Sequence, residues 1–451
     1  MKIIIAGCGG VGGTIAEQLV QEGHAVTVIE RDNKVLQNVT SRIDAMGVQG
    51  NCTSIAIQDE AGVKNADLLI AVTNHDEVNM LTCLIARKIG RCQTIARVRS
   101  PQYYSEIDYI RDELGLSMAV NPEYAAAQEM ARLIQIPSAL EVDSFAKGRV
   151  NMIKVEIPEG SILDQMKIMD FKSKVGGDTL VCIVEHGQEV YIPNGSSVLY
   201  AGDKISVTMP IYAMNGFLTK IGIKAKAIKR VMIAGGGKLG YYLAHILLDA
   251  RVQVKIIERN EDRCVELSDL LPKAMIIHGE ATDKQLLLEE DIESMDSVVA
   301  ATDQDEENLL MALYAHKVVE AKTITRINRL SIGEVIGDLS VGSVVTPMNI
   351  TAGYIIRYVR SMQNSYGSNV ETLYRLVENK VEALEFIVGE NAKVTKATLS
   401  DLNIRKDVMV CCISRHKKVI RPTGQDQIQA GDSVIVVTTK PGLNGIDEIL
   451  D

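Results

Sequence analysis

The sequence has no apolar stretch of about 18 residues or more, the length a helix needs to cross a bilayer, which argues against a transmembrane helix. Its eight cysteines include no C-x-x-C pair. Reduced thiols of a cytosolic protein are therefore expected, and adjacent Cys411 and Cys412 would point to opposite faces of a strand, away from any joint metal site. Basic charge is scarce. The 48 Lys and Arg against 58 Asp and Glu leave a formal charge of −10 and a pI near 5.4, which speaks against nucleic acid as a partner, because phosphate backbones demand a concentrated basic surface. Catalytic signatures are missing too: there is no H-E-x-x-H and no G-x-S-x-G. Gly237-Lys238 runs into Leu239 with no glycine five positions before Gly237, so there is no P-loop.

What the sequence does hold is one glycine fingerprint, twice: Gly7-Cys8-Gly9-Gly10-Val11-Gly12 and Gly235-Gly236-Gly237-Lys238-Leu239-Gly240. The first follows the apolar run Lys2 to Ala6, suited to a buried parallel strand, and precedes Thr14 to Glu22, which reads as a helix. The second follows Arg230 to Ala234 in the same way. A lone G-x-G-x-x-G is weak, but each copy is followed, 18 positions after its third glycine, by an acidic residue at the end of the next apolar strand: Glu30 and Glu258. The glycines permit a tight turn and close approach of a pyrophosphate to a helix N-terminus, and a carboxylate at that strand end can accept hydrogen bonds from a ribose diol. The same carboxylate would repel a 2′-phosphate, which argues against NADP.

The repeat runs through the whole chain. Thr73, Asp76, Glu77, Asn79 and Arg97 recur as Thr302, Asp305, Glu306, Asn308 and Arg326, and Ala201-Gly202-Asp203 recurs as Ala430-Gly431-Asp432. The fingerprints are offset by 228 and the later anchors by 229, so one residue is inserted between Glu258 and Gly279. This is a tandem duplication of a whole unit rather than a short solenoid repeat. The length of 451 residues suits roughly two to four domains, and 46% hydrophobic residues suffice for real cores. In each unit, strands alternate with helical patterns and then give way to a strand-rich part. Over residues 1–135 the predicted strands are Ile3 to Ala6, Val26 to Glu30, Leu68 to Thr73, Ile95 to Val98 and Met118 to Val120. That alternation implies a doubly wound parallel sheet. Residues 140–215 are strand-rich, with Val150 to Ile157, Thr179 to Glu185, Glu189 to Ile192 and Lys204 to Met209. The second unit repeats this as an α/β part over 229–349, a helical link near Ala352 to Glu378, and a strand-rich part within 370–451. Pro210 to Ile228 joins the copies. Its Lys220, Lys224 and Lys226, with Lys229 and Arg230, read as a solvated linker rather than a binding patch.

Several residues admit two readings. Thr73, Asn74, Thr302 and Asp303 stand at the end of the fourth strand, which borders the ligand crevice of such a sheet. The spacing of Thr73 to Asp76 and of Thr302 to Asp305 equally suits a capping box. Arg97 and Arg326, near the end of the fifth strand, suit phosphate oxygens or a structural salt bridge. Arg99 has Asn328 as its counterpart and lacks the support of repetition. Lys238 stands where the first copy has Gly10, which makes the second site the more cationic one unless the lysine faces solvent. None of the seven histidines aligns between the copies, and His75, nearest the crevice, becomes Gln304, a poor sign for a general base.

The tandem arrangement, the paired fingerprints with Glu30 and Glu258, the run Ala71-Val72-Thr73-Asn74-x-Asp76-Glu77-x-Asn79 and Ile95-Ala96-Arg97-Val98-Arg99 resemble the TrkA family, the peripheral regulatory subunits of bacterial Trk potassium uptake. The resemblance covers nearly the whole chain. It implies two Rossmann-like RCK N-terminal domains, each followed by a small α+β RCK C-terminal domain. It further implies a cytoplasmic, non-enzymatic homo-oligomer, a tetramer built from dimers, attached to the inner face of the cell membrane beneath a potassium-transporting subunit of TrkH/TrkG type. Such a protein binds NAD(H) and adenine nucleotides (ATP, ADP) and gates transport. Carried over by position, the nucleotide residues are Gly7 to Val11, Glu30, Thr73, Asn74 and Arg97, with Gly235 to Leu239, Glu258, Thr302, Asp303 and Arg326 in the second copy. Many relatives place Asp after the glycine of the third strand, where Asn51 and Glu280 stand here. An NAD-dependent oxidoreductase and a regulator of a different cation channel or antiporter are the competing readings.

Overall fold

The computed structural model describes all residues except 136–139, 146–149, 177–178, 211–212, 224–227, 320–321, 329–340, 365–369, 378–379, 416–417, 441 and 444. The chain divides into two compact units. One joins Met1–Ala131 to Lys229–Ile356, and the other joins Arg132–Ile228 to Arg357–Asp451.

The first unit holds two six-stranded parallel sheets. In the first copy the elements run β1 (Lys2–Ala6), α1 (Gly10–Gln21), β2 (Ala25–Glu30), α2 (Asn33–Thr40), β3 (Met46–Gln49), α3 (Ile55–Glu60), β4 (Leu68–Ala71), α4 (Asp76–Gly90), β5 (Gln93–Arg97), α5 (Pro101–Ile110), β6 (Met118–Val120) and α6 (Pro122–Gln135). The sheet order is β3-β2-β1-β4-β5-β6. The strand order thus reverses between β1 and β4, and a doubly wound sheet opens its crevice there, outside the carboxyl ends of the strands. The central strands are Ile-, Leu- and Ala-rich because helices cover both faces: Ile3 to Ala6 and Leu68 to Ala71 are all buried. Helix α5 begins on Pro101, whose fixed φ suits a first turn. Of the six strands β3 escapes the sequence pattern, since only Val48 in Met46–Gln49 is buried.

The second unit holds two five-stranded antiparallel sheets. In the first copy these are β7 (Glu141–Phe145), β8 (Val150–Glu156), β10 (Leu180–His186), β11 (Glu189–Tyr191) and β13 (Lys204–Pro210), in the order β11-β10-β13-β8-β7. A small ladder pairs β9 (Met166–Lys167) with β12 (Val198–Leu199), and helix α7 (Ile168–Lys174) follows β9. The stretch read as a solvated linker contains helix α8 (Met214–Lys220) with Phe217, Leu218 and Ile221 buried, and Lys220 Nζ donates to the Val175 carbonyl at 2.8 Å. Lys224 and Lys226 lie outside the described residues. Apolar burial therefore overrides the linker reading over this helix.

The second copy repeats both plans. Its parallel sheet comprises β14 (Arg230–Ala234), α9 (Lys238–Asp249), β15 (Gln253–Glu258), α10 (Glu261–Leu270), β16 (Met275–His278), α11 (Lys284–Glu289), β17 (Ser297–Ala300), α12 (Asp305–Val318), β18 (Lys322–Arg326) and β19 (Ser343–Val345), in the order β16-β15-β14-β17-β18-β19. The antiparallel sheet comprises β20 (Val370–Leu376), β21 (Val381–Ile387), β22 (Val408–Arg415), β23 (Lys418–Ile420) and β24 (Ser433–Thr438). The helical link expected over Ala352 to Glu378 is helix only within Pro347–Asn364, because the sequence beyond it re-enters the sheet as β20; Glu378 itself lies outside the described residues. Within the second unit the two sheets share one core, in which Phe145, Cys182 and Ile183 meet Ala383, Cys412 and Ile435. All eight cysteines are buried free thiols.

Candidate nucleotide sites

Each fingerprint sits between the first strand and first helix of its sheet, as the sequence implied. Gly7 and Gly235 take φ of +95° and +106°, a conformation that side-chain-bearing residues rarely adopt, and both press against the end of the fourth strand. A Cβ at Gly7 would lie 3.0 Å from the Thr73 backbone, and one at Gly235 would lie 2.9 Å from Ala301 O. Gly9 and Gly237 are N-cap residues of α1 and α9, without side-chain caps and with open space around them. The first N–H groups of both helices therefore begin beside an open glycine, an arrangement able to receive phosphate. Val11 and Leu239 are buried and anchor the helices on the sheets.

Glu30 and Glu258 brace these loops. Glu30 Oε2 accepts from Cys8 N at 2.8 Å, and its Oε1 accepts from Arg31 N at 2.7 Å. Glu258 repeats this with Gly236 N and Asn260 N, both at 2.8 Å. Glu30 Oε1 also takes Asp32 N at 3.2 Å, which leaves Glu30 Oε2 and both Glu258 oxygens with a further lone pair for a ribose hydroxyl. Cys8 is no nucleophile here: burial, reinforced by the Glu30 charge, pushes its thiol up to about 12.

The fourth-strand segment behaves differently from the capping box that its spacing suggested. The N-cap residues of α4 and α12 are His75 and Gln304. Thr73 Oγ1 donates instead to Asn79 Oδ1 at 2.7 Å, and Asp76 Oδ2 accepts from Arg99 N and Ser100 N at 2.9 and 2.7 Å. In the second copy Thr302 Oγ1 donates to Asn308 Oδ1 at 2.9 Å, and Asp305 Oδ1 accepts from Asn328 N at 2.8 Å. Carboxylates here satisfy the loop after the fifth strand rather than their own helix.

Sequence reading missed Asn79 and Asn308 as site-building residues, although both recur in the repeat. Fully buried, Asn79 takes Thr73 N at 2.8 Å and donates from Nδ2 to Thr73 O and Arg97 O at 3.1 and 2.9 Å. Asn308 makes the same bonds to Thr302 and Arg326. These amides staple the ends of the fourth and fifth strands, and so fix where the crevice threonine and arginine stand. Replacing Asn79 by alanine strands a buried N–H and two carbonyls, and is expected to destabilise the first unit by about 3 kcal/mol. Urea unfolding measures this. A loss under about 0.5 kcal/mol, the range of ordinary surface changes, would show that the staple contributes nothing.

The two arginines are in unequal states. Arg97 is 7% exposed; its Nη2 donates to Asn74 Oδ1 at 3.1 Å, its Nε has no partner among the described residues, and burial lowers its pKa. Arg326 Nη1 instead pairs with Asp303 Oδ1 at 2.8 Å and reaches Thr302 O at 3.2 Å. The salt-bridge reading of this position is thus met in the second copy, while Arg97 makes no ion pair among the described residues. Arg99 is spent on Glu123, at 2.6 Å.

Around the second crevice lies a cleft of about 490 Å³, within the range of small-molecule sites. Glu258, Glu280, Thr302 and Asp303 all line it. Lys238 is exposed and is not among the lining residues, so the expectation that it makes this site the more cationic one fails. The cleft is acidic. Gly10, its counterpart, has Met348 of the second copy in the way: a Cβ there would meet Met348 Sδ at 2.5 Å. The parallel-sheet domains also touch through Tyr242 of α9, which accepts from Asn121 Nδ2 at 2.9 Å and donates to Arg99 O at 3.3 Å.

Against known families, the TrkA-N domain model matches residues 3–122 and 231–347, and the TrkA-C domain model matches 152–221 and 383–451. The chain is 32% identical over 452 residues to the Trk system potassium uptake protein TrkA homolog of Archaeoglobus fulgidus, with all of both chains covered. It is 31% identical over 439 residues to the Trk system potassium uptake protein TrkA of Halomonas elongata, with 97% of this chain and 95% of the relative covered. Among solved structures, the GsuK RCK domain superposes with a TM-score of 0.61 at 16% identity, covering 97% of this chain and 92% of that one. The GsuK channel bound to NAD gives 0.60, again at 16% identity, over 97% and 76%. At that identity the likeness speaks for the fold alone.

Proposed function

The chain belongs to the TrkA family, and we propose that it is a nucleotide-binding regulatory subunit that gates a potassium-transporting membrane protein of TrkH/TrkG type. The observation that carries the reading is the duplicated crevice, in which a bare helix N-terminus, a braced carboxylate and a stapled arginine recur without a repeated histidine. NAD(H) and the adenine nucleotides ATP and ADP fit what is there. The open N-cap glycines leave room for phosphate, Glu30 and Glu258 retain acceptors for a ribose diol, and Arg97 holds an unspent donor. The GsuK channel has been solved with NAD and with ADP, and we extend that ligand class to this chain.

In this role the nucleotide supplies charge and contacts rather than chemistry. Gly9 and Gly237 admit its phosphates to the N-termini of α1 and α9, Glu30 and Glu258 orient its ribose, and Arg97 adds donors at the crevice rim. Only a difference in affinity between two arrangements of the domains shifts the population between them. Tyr242 provides a direct route for the coupling. It sits one turn into α9, whose start forms the second cradle, and bonds to Arg99, two residues beyond the arginine of the first crevice. The protein is read as a cytoplasmic homo-oligomer, a tetramer, docked on the inner face of the membrane.

Potassium flux in vesicles carrying the membrane subunit and this protein tests the reading. ADP or NAD is expected to change the flux with the wild-type chain and to leave it unchanged with the double variant Glu30→Ala and Glu258→Ala. An equal nucleotide response from both would contradict the proposal.

A further inference from the structure

The second cleft is ringed by carboxylates. Among the residues that line it, Glu258, Asp262, Glu266, Glu280, Asp303 and Glu307 stand against Arg259 and Arg263, a formal balance of −4. Arg263 is already engaged, with Gly236 O at 2.8 Å and Glu266 at 2.6 Å. Arg326, which could have offered charge to a phosphate, is held by Asp303. Lys238 is exposed and does not line the cleft.

The aligned positions of the first copy are balanced. Helices α2 and α10 begin on equivalent N-caps, Asp32 and Asn260, which fixes the alignment there at the offset of 228. Lys34 then replaces Asp262, Asn38 replaces Glu266, and beyond the insertion Asn51, Asn74 and Val78 replace Glu280, Asp303 and Glu307. Glu30 and Asp32 remain against Arg31 and Lys34, a formal balance of zero. Here the buried arginine keeps its charge for a ligand. Among the described residues Arg97 donates only to the neutral Asn74, and the nearby Asp76 and Glu123 act on it through charge without a direct hydrogen bond.

Resting on the nucleotide reading above, we infer that the two sites select ligands by phosphate charge: the first takes a nucleoside di- or triphosphate, and the second takes a dinucleotide of lower charge and rejects ATP. The residue pair that sets the choice is Asn74 and Asp303, each within hydrogen-bond distance of the crevice arginine of its own site. Carboxylates disfavour a polyanion most strongly where water is partly excluded and screening is weak.

Calorimetric titration of the full chain with AMP, ADP, ATP and NAD, at low and at high salt, tests this on the wild type and on the single variants Asn74→Asp and Asp303→Asn. The wild type is expected to show two classes of site, one preferring ATP over NAD and the other NAD over ATP. Asn74→Asp should weaken ATP at the first class by about tenfold, with a smaller effect on AMP that shrinks further at high salt. Asp303→Asn should strengthen ATP at the second class by about the same factor, with NAD less affected. Equal preference at both sites, or variants that move all four ligands alike, would overturn the inference while leaving the nucleotide reading intact. Binding of none of the four would remove that reading, and the inference with it.

Discussion

Alanine at position 12 is expected to destabilise the first unit by about 3 kcal/mol and to abolish nucleotide binding at the first site. An added Cβ would stand 1.9 Å from Gly7 O and 3.2 Å from Val72 Cγ2. Neither neighbour can yield cheaply. Gly7 is fixed at φ +95° with its N–H on Ile29 O at 2.9 Å, and it already presses on Thr73. The helix must therefore move off the strand, and the cradle opens with it. Gly240→Ala is expected to do the same to the second site, since its Cβ would fall 2.1 Å from Gly235 O. Gly9→Ala serves as the control. Nothing lies within 4 Å of a Cβ there, and replacing a glycine N-cap by alanine costs roughly 1 kcal/mol, well below the loss expected at position 12. It should nonetheless impair binding, because the methyl group occupies the space left for phosphate. Urea denaturation with and without ADP separates these effects, and a Gly12→Ala protein as stable as the wild type would refute the packing argument.

The second large effect is expected at the strand-end carboxylates. Glu30→Ala should weaken ADP at the first site by up to roughly 100-fold, because a hydrogen bond from a ribose hydroxyl to the charged Oε2 is lost, worth about 1.5–3 kcal/mol. The same change removes the brace on Cys8 N. Glu30→Gln, which keeps an acceptor for that N–H but lacks the charge, should fall between. Glu258→Ala should act likewise on NAD at the second site and leave the first alone. A dissociation constant within about threefold of wild type, less than one hydrogen bond to a charged group is worth, would place the ribose elsewhere.

The duplication explains why so much of this was legible. A glycine fingerprint seen once is ambiguous, but a second copy with the same acidic residue 18 positions on leaves little room for chance. The parallel strands were readable because both faces are covered, so that Ile3 to Ala6 shows no polar alternation. What escaped reading depends on contacts between distant residues. Asn79 looks like one more polar residue on a helix, yet it is wholly buried because its amide joins two strand ends. Asp76 has the spacing of a cap, but two N–H groups from the loop after β5 compete for it successfully. The pairing of Arg326 with Asp303 and its absence between Arg97 and Asn74 follow from a single substitution, whose meaning needs the side chains in place. For Lys238 the solvent-facing reading fits its exposed side chain. Strand β3 and helix α8 are short, and neither carries enough apolar period to stand out.

Direct binding of nucleotide by the purified chain tests the account at its centre. Titrations with ADP and with NAD are predicted to show saturable binding to the wild type that disappears in the double variant Glu30→Ala and Glu258→Ala while the folded sheets persist by circular dichroism. A wild-type chain that binds neither ligand, or a double variant that binds both as tightly as the wild type, would contradict it.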